Sequence, residues 1–210
     1  MVKVAINGFG RIGRNVLRAI VESGRKDIQV VAINDLGPVE TNAHLMRFDS
    51  VHGRFPGQVK VAGDTIDVGF GPIKVTAIKN PAELPHKELG DDIALECTGI
   101  FVTKEKAAAH LAAGAKRVIV SAPCDNADLT VVYGVNHDQL TAADTILDDA
   151  CDEALDATRR RLDQHARGPL DTVGEHQDGG LFGARPRPRV TVVLTACAGI
   201  GLDRLVMEGH

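Results

Sequence analysis

The amino-acid sequence predicts an α/β protein built on a doubly wound, mostly parallel sheet, and three observations carry that prediction. Short apolar runs of strand character alternate with stretches of helical periodicity along the first two thirds of the chain. The first such run enters Gly8, Gly10 and Gly13, spaced Gly-x-Gly-x-x-Gly, and the glycines open a helical pattern. The second apolar run ends in an acid, Asp35, twenty-two residues after Gly13.

Each element follows from its residues. Val2, Val4 and Ile6 alternate with Lys3 and Ala5, as a short buried strand does. Ile12, Val16, Leu17 and Ile20 then recur at helical spacing. In a strand–turn–helix of this kind the first glycine permits the tight turn. The second lets backbone approach a pyrophosphate, and the third lets helix and strand pack closely. The helix N-terminus directs free N–H groups and the positive end of its dipole at the anion. A ligand-free βα turn is the alternative, but strand, helix and downstream acid together favour a dinucleotide site. Ile28–Asn34 reads as the second strand. A carboxylate at its tip, Asp35, can bond both hydroxyls of an adenosine ribose and would repel a 2′-phosphate, which argues NAD over NADP. The alternative for Asp35 is an N-cap of the next helix.

Residues 41–48 read as a helix and 50–57 as a loop. Short strands near 59–61, 65–68 and 73–78, punctuated by Gly63, Asp64 and Gly71, form a small antiparallel insertion. Residues 92–97 are a buried strand running into Thr98 and Gly99. Residues 104–113 are helical and closed by Gly114. Residues 117–120 form a strand ending at Ser121, and 131–134 one more.

Bulk properties narrow the function classes. Of 210 residues, 44% are hydrophobic and 25% charged, as in an ordinary globular protein. A net charge of -4 points to neither nucleic acid nor an acidic membrane surface. No apolar run is long enough to span a bilayer, and the N-terminus reads as a strand rather than a leader. Cys97, Cys124, Cys151 and Cys197 are widely spaced and form no metal pattern, so free thiols in a cytoplasmic protein are expected.

NGFGRIGR, IND, HLMRFDSVHGRF, LECTGIF, AGAKRVIVSAP and VVYGVNHDQL together resemble the glyceraldehyde-3-phosphate dehydrogenase family, nearly continuously from residue 1 to about 147. The resemblance implies a Rossmann-type NAD-binding domain over 1–147. It implies that Gly8, Gly10, Arg11, Ile12 and Gly13 meet the pyrophosphate and that Asp35 holds the adenosine ribose. By the same likeness Lys79 stands near the adenine, Thr98 and Gly99 lie along the cofactor, and Ser121 approaches the nicotinamide ribose. Lys79 alone would read as a solvated surface charge. The implied activity is NAD-dependent oxidation and phosphorylation of glyceraldehyde 3-phosphate in glycolysis, by a cytoplasmic homotetramer, through a thiohemiacetal and a thioester on cysteine.

The likeness stops near Leu147. The family continues with Ser-x-Cys-Thr-Thr-Asn-Cys, whereas this chain reads TILDDACDEALDATRRR. Cys151 lies within about one residue of the family nucleophile and is the catalytic candidate, yet Asp152 and Glu153 follow it. A reactive thiolate needs positive charge or a helix N-terminus beside it. His165 and His176 lack the family's Thr-x-His context, and neither takes a role. Composition changes at the same place. All nine lysines lie at or before Lys116, and the 63 residues from Asp148 to His210 hold eight arginines, no Lys, no Asn and no Tyr. Such a bias matches GC-rich DNA read out of frame, so 148–210 is a divergent tail, either a frame-shift product or what stands in place of a truncated catalytic domain. A genuine replacement tail is the rival, with a helix over 149–162 and a strand over 189–194.

Overall fold

The computed structural model describes residues 1–132 and 136–149. The sequence expectations for 150–210, Cys151 among them, lie outside the described residues.

The chain opens with strand β1 (Val2–Asn7), helix α1 (Arg11–Glu22), strand β2 (Ile28–Asn34) and helix α2 (Val39–Arg47). Five short strands follow: β3 (Phe48–Asp49), β4 (Gly53–Arg54), β5 (Lys60–Ala62), β6 (Thr65–Asp67) and β7 (Pro72–Thr76). A 3-10 turn (Pro81–Glu83) and helix α3 (His86–Leu89) lead to β8 (Ile93–Glu96), helix α4 (Lys104–Ala112) and β9 (Arg117–Val120). Last come β10 (Leu129–Thr130), a second 3-10 turn (His137–Gln139) and β11 (Ile146–Asp148).

Among the described residues these build a nine-stranded sheet in the order β10-β11-β9-β8-β1-β2-β7-β6-β5. Every pairing from β10 to β7 is parallel, and the β7-β6-β5 end is antiparallel. The chain moves outward from β1 to β2 on one side, then returns to place β8 on the other. The strand order therefore reverses at β1, and a crevice opens at the carboxyl ends of β1, β2 and β8. Right-handed crossovers in opposite directions put α1 and α4 on opposite faces. The side chains follow. Ile119 and Leu147 join the large core with Val4, Ile6, Val16 and Leu17. Val118, Val120 and Ile146 alternate to the other face and pack with Ala107 of α4.

The structure adjusts several element expectations. Helix α2 starts two residues earlier than 41, after Pro38. Phe48, the last residue of the expected helix, leaves it to pair with Arg54 in the β3-β4 hairpin, whose second strand lies inside the expected loop. Arg18, buried on α1, holds that hairpin: its guanidinium donates to the carbonyls of Gly53 (2.9 Å), Arg54 (2.7 Å) and His52 (3.3 Å). The antiparallel insertion exists, but β7 also pairs in parallel with β2 and extends the main sheet. A strand forms at Leu129–Thr130, just before the one expected at 131–134, of which 133–134 lie outside the described residues; the Val131 N–H adds one more bond, to the Asp148 carbonyl (2.9 Å). Helix α4 ends at Ala112, with Gly114 just beyond at φ 114°. A Cβ there would lie 2.9–3.0 Å from Lys87, so only glycine fits the close approach.

Candidate functional site

The crevice at the reversal of strand order is a cleft of about 520 Å³. Gly8, Gly10, Asp35, Lys79 and Thr98, all singled out from sequence, line it. So do Asn7, Asn34, Leu36, Ile78, Cys97, Ile100 and Phe101.

The three glycines do different work. Gly8 sits at φ 90°, and a Cβ on it would lie 2.7 Å from the Thr98 nitrogen. The loop after β1 therefore crosses directly against the end of β8. At Gly13 a Cβ would lie 2.2 Å from the Gly8 carbonyl oxygen, so α1 packs on the loop with no space between them. At Gly10 a Cβ would meet no atom within 4 Å. The bare side of Gly10 faces open space at the mouth of α1, where Gly10 is the N-cap. No side chain caps that helix and no acidic residue stands in its first turn. An uncapped helix N-terminus beside a Cβ-free backbone suits an anion. Arg11 and Ile12 are exposed in this first turn.

Asp35 is not a helix cap, since Pro38 precedes α2. Its Oδ2 accepts the Phe9 N–H (2.9 Å) and its Oδ1 the Gly37 N–H (2.8 Å). The carboxylate is thus tied to the glycine loop, with further lone pairs on each oxygen. Across the cleft, Thr98 is anchored by Glu96, whose Oε1 accepts the Thr98 N–H (2.7 Å) and its hydroxyl. Gly99 follows at φ 73° and is exposed. Ser121 stands just past β9, its N–H donating to the Glu96 carbonyl (2.9 Å). Burial pushes the Cys97 thiol up to about 12; the Ser121 hydroxyl opposes this and the nearby Glu96 charge adds to it. Burial likewise raises Cys124, helped by Asp148, to about 11. Neither thiol is poised for nucleophilic work.

Sequence reasoning missed Asn7 and Asn34. Asn34 Nδ2 donates to Asn7 Oδ1 (2.7 Å) and to the Ile78 carbonyl (2.8 Å). Its Oδ1 accepts from Ile78 N–H and Thr76 Oγ1, both at 2.8 Å. An asparagine closing each of two apolar strands was the available signal. Among the described residues no cluster of His, Cys, Asp or Glu could hold a metal, and no helix is long and apolar enough to cross a membrane.

The comparisons agree with this geometry. Residues 2–104 match a family model described as the NAD-binding domain of glyceraldehyde 3-phosphate dehydrogenase. The chain is 83% identical over 149 residues to glyceraldehyde-3-phosphate dehydrogenase of Xanthobacter flavus, an alignment covering 71% of this chain and 44% of that protein. It is 75% identical over 149 residues to the enzyme of Cereibacter sphaeroides, with the same coverage. With that of Thermotoga maritima the identity is 52% over 147 residues, 70% of this chain and 44% of the relative. The chain thus spans less than half the length of these curated relatives. With the strand order, the cleft and the glycine loop in agreement, the matched N-terminal part of the chain is a NAD-binding domain of the glyceraldehyde-3-phosphate dehydrogenase family.

Proposed function

We propose that the chain binds NAD across the cleft and belongs to the oxidation and phosphorylation of glyceraldehyde 3-phosphate. The observation that carries this reading is Gly10: its bare backbone, at an uncapped helix N-terminus, faces open space while Gly8 and Gly13 are sealed against protein. In this reading Gly8 to Gly13, with Arg11 and Ile12, take the pyrophosphate. Asp35 accepts the adenosine ribose hydroxyls, Lys79 stands near the adenine, Thr98 and Gly99 flank the cofactor, and Ser121 approaches the nicotinamide ribose. The nicotinamide, when bound, supplies hydride acceptance; the protein's part is to position it and exclude water. The binding unit ends near residue 147, in keeping with the 147 to 149 residues over which the relatives align. Cytoplasmic residence and assembly into a homotetramer are carried over from the family likeness; the mass of the chain in solution tests the second.

A second reading, NAD binding without turnover, is favoured by the residues after β11. Asp148 and Asp149 are both buried at its end, and Asp152 and Glu153 follow Cys151 in sequence. Four carboxylates within three residues of one thiol in sequence disfavour the thiolate that nucleophilic catalysis requires. Loss of even one oxyanion donor costs about a hundredfold or more in rate. Calorimetric titration with NAD should give saturable binding. A steady-state assay with the aldehyde, phosphate and NAD should give little or no NADH. Turnover abolished by Cys151→Ser would instead establish Cys151 as the nucleophile; absence of NAD binding would refute both readings.

A further inference from the structure

Behind the cleft lies an unbroken chain of buried titratable groups that cofactor contact does not explain. Asp91 Oδ2 contacts His86 Nδ1 at 2.9 Å, His86 Nε2 contacts His110 Nδ1 at 3.0 Å, and His110 Nε2 contacts Glu96 Oε2 at 3.0 Å. All four residues are at most 2% exposed. All four ring nitrogens are engaged, so turning either ring over would put carbon at both of its contacts. Beyond Glu96 the chain reaches the cleft. Oε2 also accepts from Asn7 Nδ2 (2.6 Å), and Oε1 anchors the N–H and hydroxyl of Thr98.

The proton count is decisive. Three junctions need three protons. Two ionised carboxylates and two neutral imidazoles supply two, one on each ring. With only two, a nitrogen lone pair would face an oxygen or nitrogen lone pair at 2.9–3.0 Å in a dry site. We propose that Glu96 is a positioning residue for the cofactor cleft, and that its alignment depends on a third proton shared along the Asp91–His86–His110–Glu96 chain. Among the described residues no other charged side chain bonds either imidazole. β1 and β2 contribute the neutral Asn7 and Asn34, and the Lys3 ammonium of β1 stands near Gly90. Lys87 and Glu88 of α3 and Glu105 and Lys106 of α4 are exposed. Cys97 follows Glu96 just past β8. Arg117 of β9, which packs on α4, is bonded to the carbonyls of Asp144 and Ala142. On β11 Asp148 is bonded to the Cys124 N–H. Lys104 at the start of α4 is paired with Asp128, and Glu83 of the first 3-10 turn is exposed and bonded to Asn80.

As pH rises and the third proton leaves, one junction opens, Glu96 shifts, and Thr98 loses its anchor at the cleft. NAD affinity should therefore fall toward alkaline pH, by roughly tenfold, the size of one lost charged hydrogen bond. This consequence rests on the cleft being the NAD site. The test compares NAD dissociation constants of the full chain, wild type and Glu96→Gln, between about pH 6 and 9.5, a range spanning ordinary histidine titration. A glutamine amide carries its own proton to His110 Nε2 and keeps an oxygen for Thr98, while giving up the acceptor for Asn7 Nδ2, so the variant should bind NAD more weakly at every pH but with a flat profile. Parallel profiles for the two proteins would overturn the proposal. Nitrogen-15 and carboxyl carbon-13 NMR of the ligand-free wild type gives an independent reading. Three protons on the four groups at neutral pH support the proposal, and two neutral rings with both carboxylates ionised overturn it. Absence of NAD binding at every pH would overturn the cofactor reading and the positioning role with it, while the spectrum still decides the proton count.

Discussion

Gly10 and Gly13 are three residues apart and should respond to the same substitution in opposite ways. A methyl group at Gly13 would collide with the Gly8 carbonyl at 2.2 Å, and backbone cannot swing aside as a flexible side chain can. Gly13→Ala should lower stability by about 1–3 kcal/mol or more, the range of overpacked sites, and NAD binding should go with it. Gly10→Ala adds a methyl group that meets nothing. It should leave the melting temperature nearly unchanged and weaken NAD binding, because the methyl group occupies the anion's approach. Unchanged affinity in a folded Gly10→Ala protein would remove Gly10 from the pyrophosphate site. Asp35 should set the preference between cofactors. Its charge should favour NAD over NADP by on the order of 2–3 kcal/mol, typical of charged hydrogen bonds. Dissociation constants for both cofactors in wild type and Asp35→Ala check this, and equal selectivity in the two proteins would sink it. The cysteines give a third residue-scale expectation. With the thiols of Cys97 and Cys124 pushed up to about 12 and about 11, alkylation at pH 8 should be orders of magnitude slower than for a free thiol near 8.5. Peptide mapping after timed labelling reads each site, and rapid modification of Cys97 would contradict its raised thiol pKa.

At the scale of elements, Asp128 latches β11 to α4. One oxygen accepts from Thr145 N–H (2.9 Å), Thr145 Oγ1 (3.1 Å) and Ile146 N–H (2.9 Å), while the other pairs with Lys104. The Lys104 ammonium, with the backbone N–H groups of Ile146 and Thr145, holds this carboxyl well below the usual carboxylate range against the opposing effect of burial. A carboxyl lowered in the folded state stabilises fully above its unfolded value of about 3.9, and the contribution fades as pH falls through the lower folded value. Asp128→Ala should therefore lose about 1–2 kcal/mol at pH 7, the exposed Lys104 end being partly screened. The gap to wild type should narrow well below about pH 4. Urea melts at pH 7 and pH 3 measure both, and a gap that is constant with pH would mean the carboxylate charge is not what matters.

Over the described molecule as a whole, the glycine loop, Asp35 and Thr98 converge because the strand order reverses at β1. They come from residues 8–13, 35 and 98, and only the parallel pairing of β1 with both β2 and β8 puts their carboxyl ends side by side. The buried polar chain meets the cleft wall at Glu96, which bonds Asn7 and Thr98 of the lining.

The sequence by itself determined the first strand, the glycine turn, the first helix and the acid at the tip of the second strand, because these signals are local: period, φ freedom and spacing lie within about thirty-five residues. It also determined that the family likeness ends near Leu147. The tertiary structure alone decided what each glycine touches and that Asp35 binds the loop at Phe9 rather than capping a helix. It decided that Arg18 grips a hairpin thirty-five residues away in the chain and that β7 joins the main sheet. It also decided that His86, His110 and Glu96 meet in one line. A histidine pattern carries no period and no turn signature. Residues 24 and 14 apart in the chain become partners only when α3, α4 and β8 pack together, and that packing is set by which apolar faces must leave water.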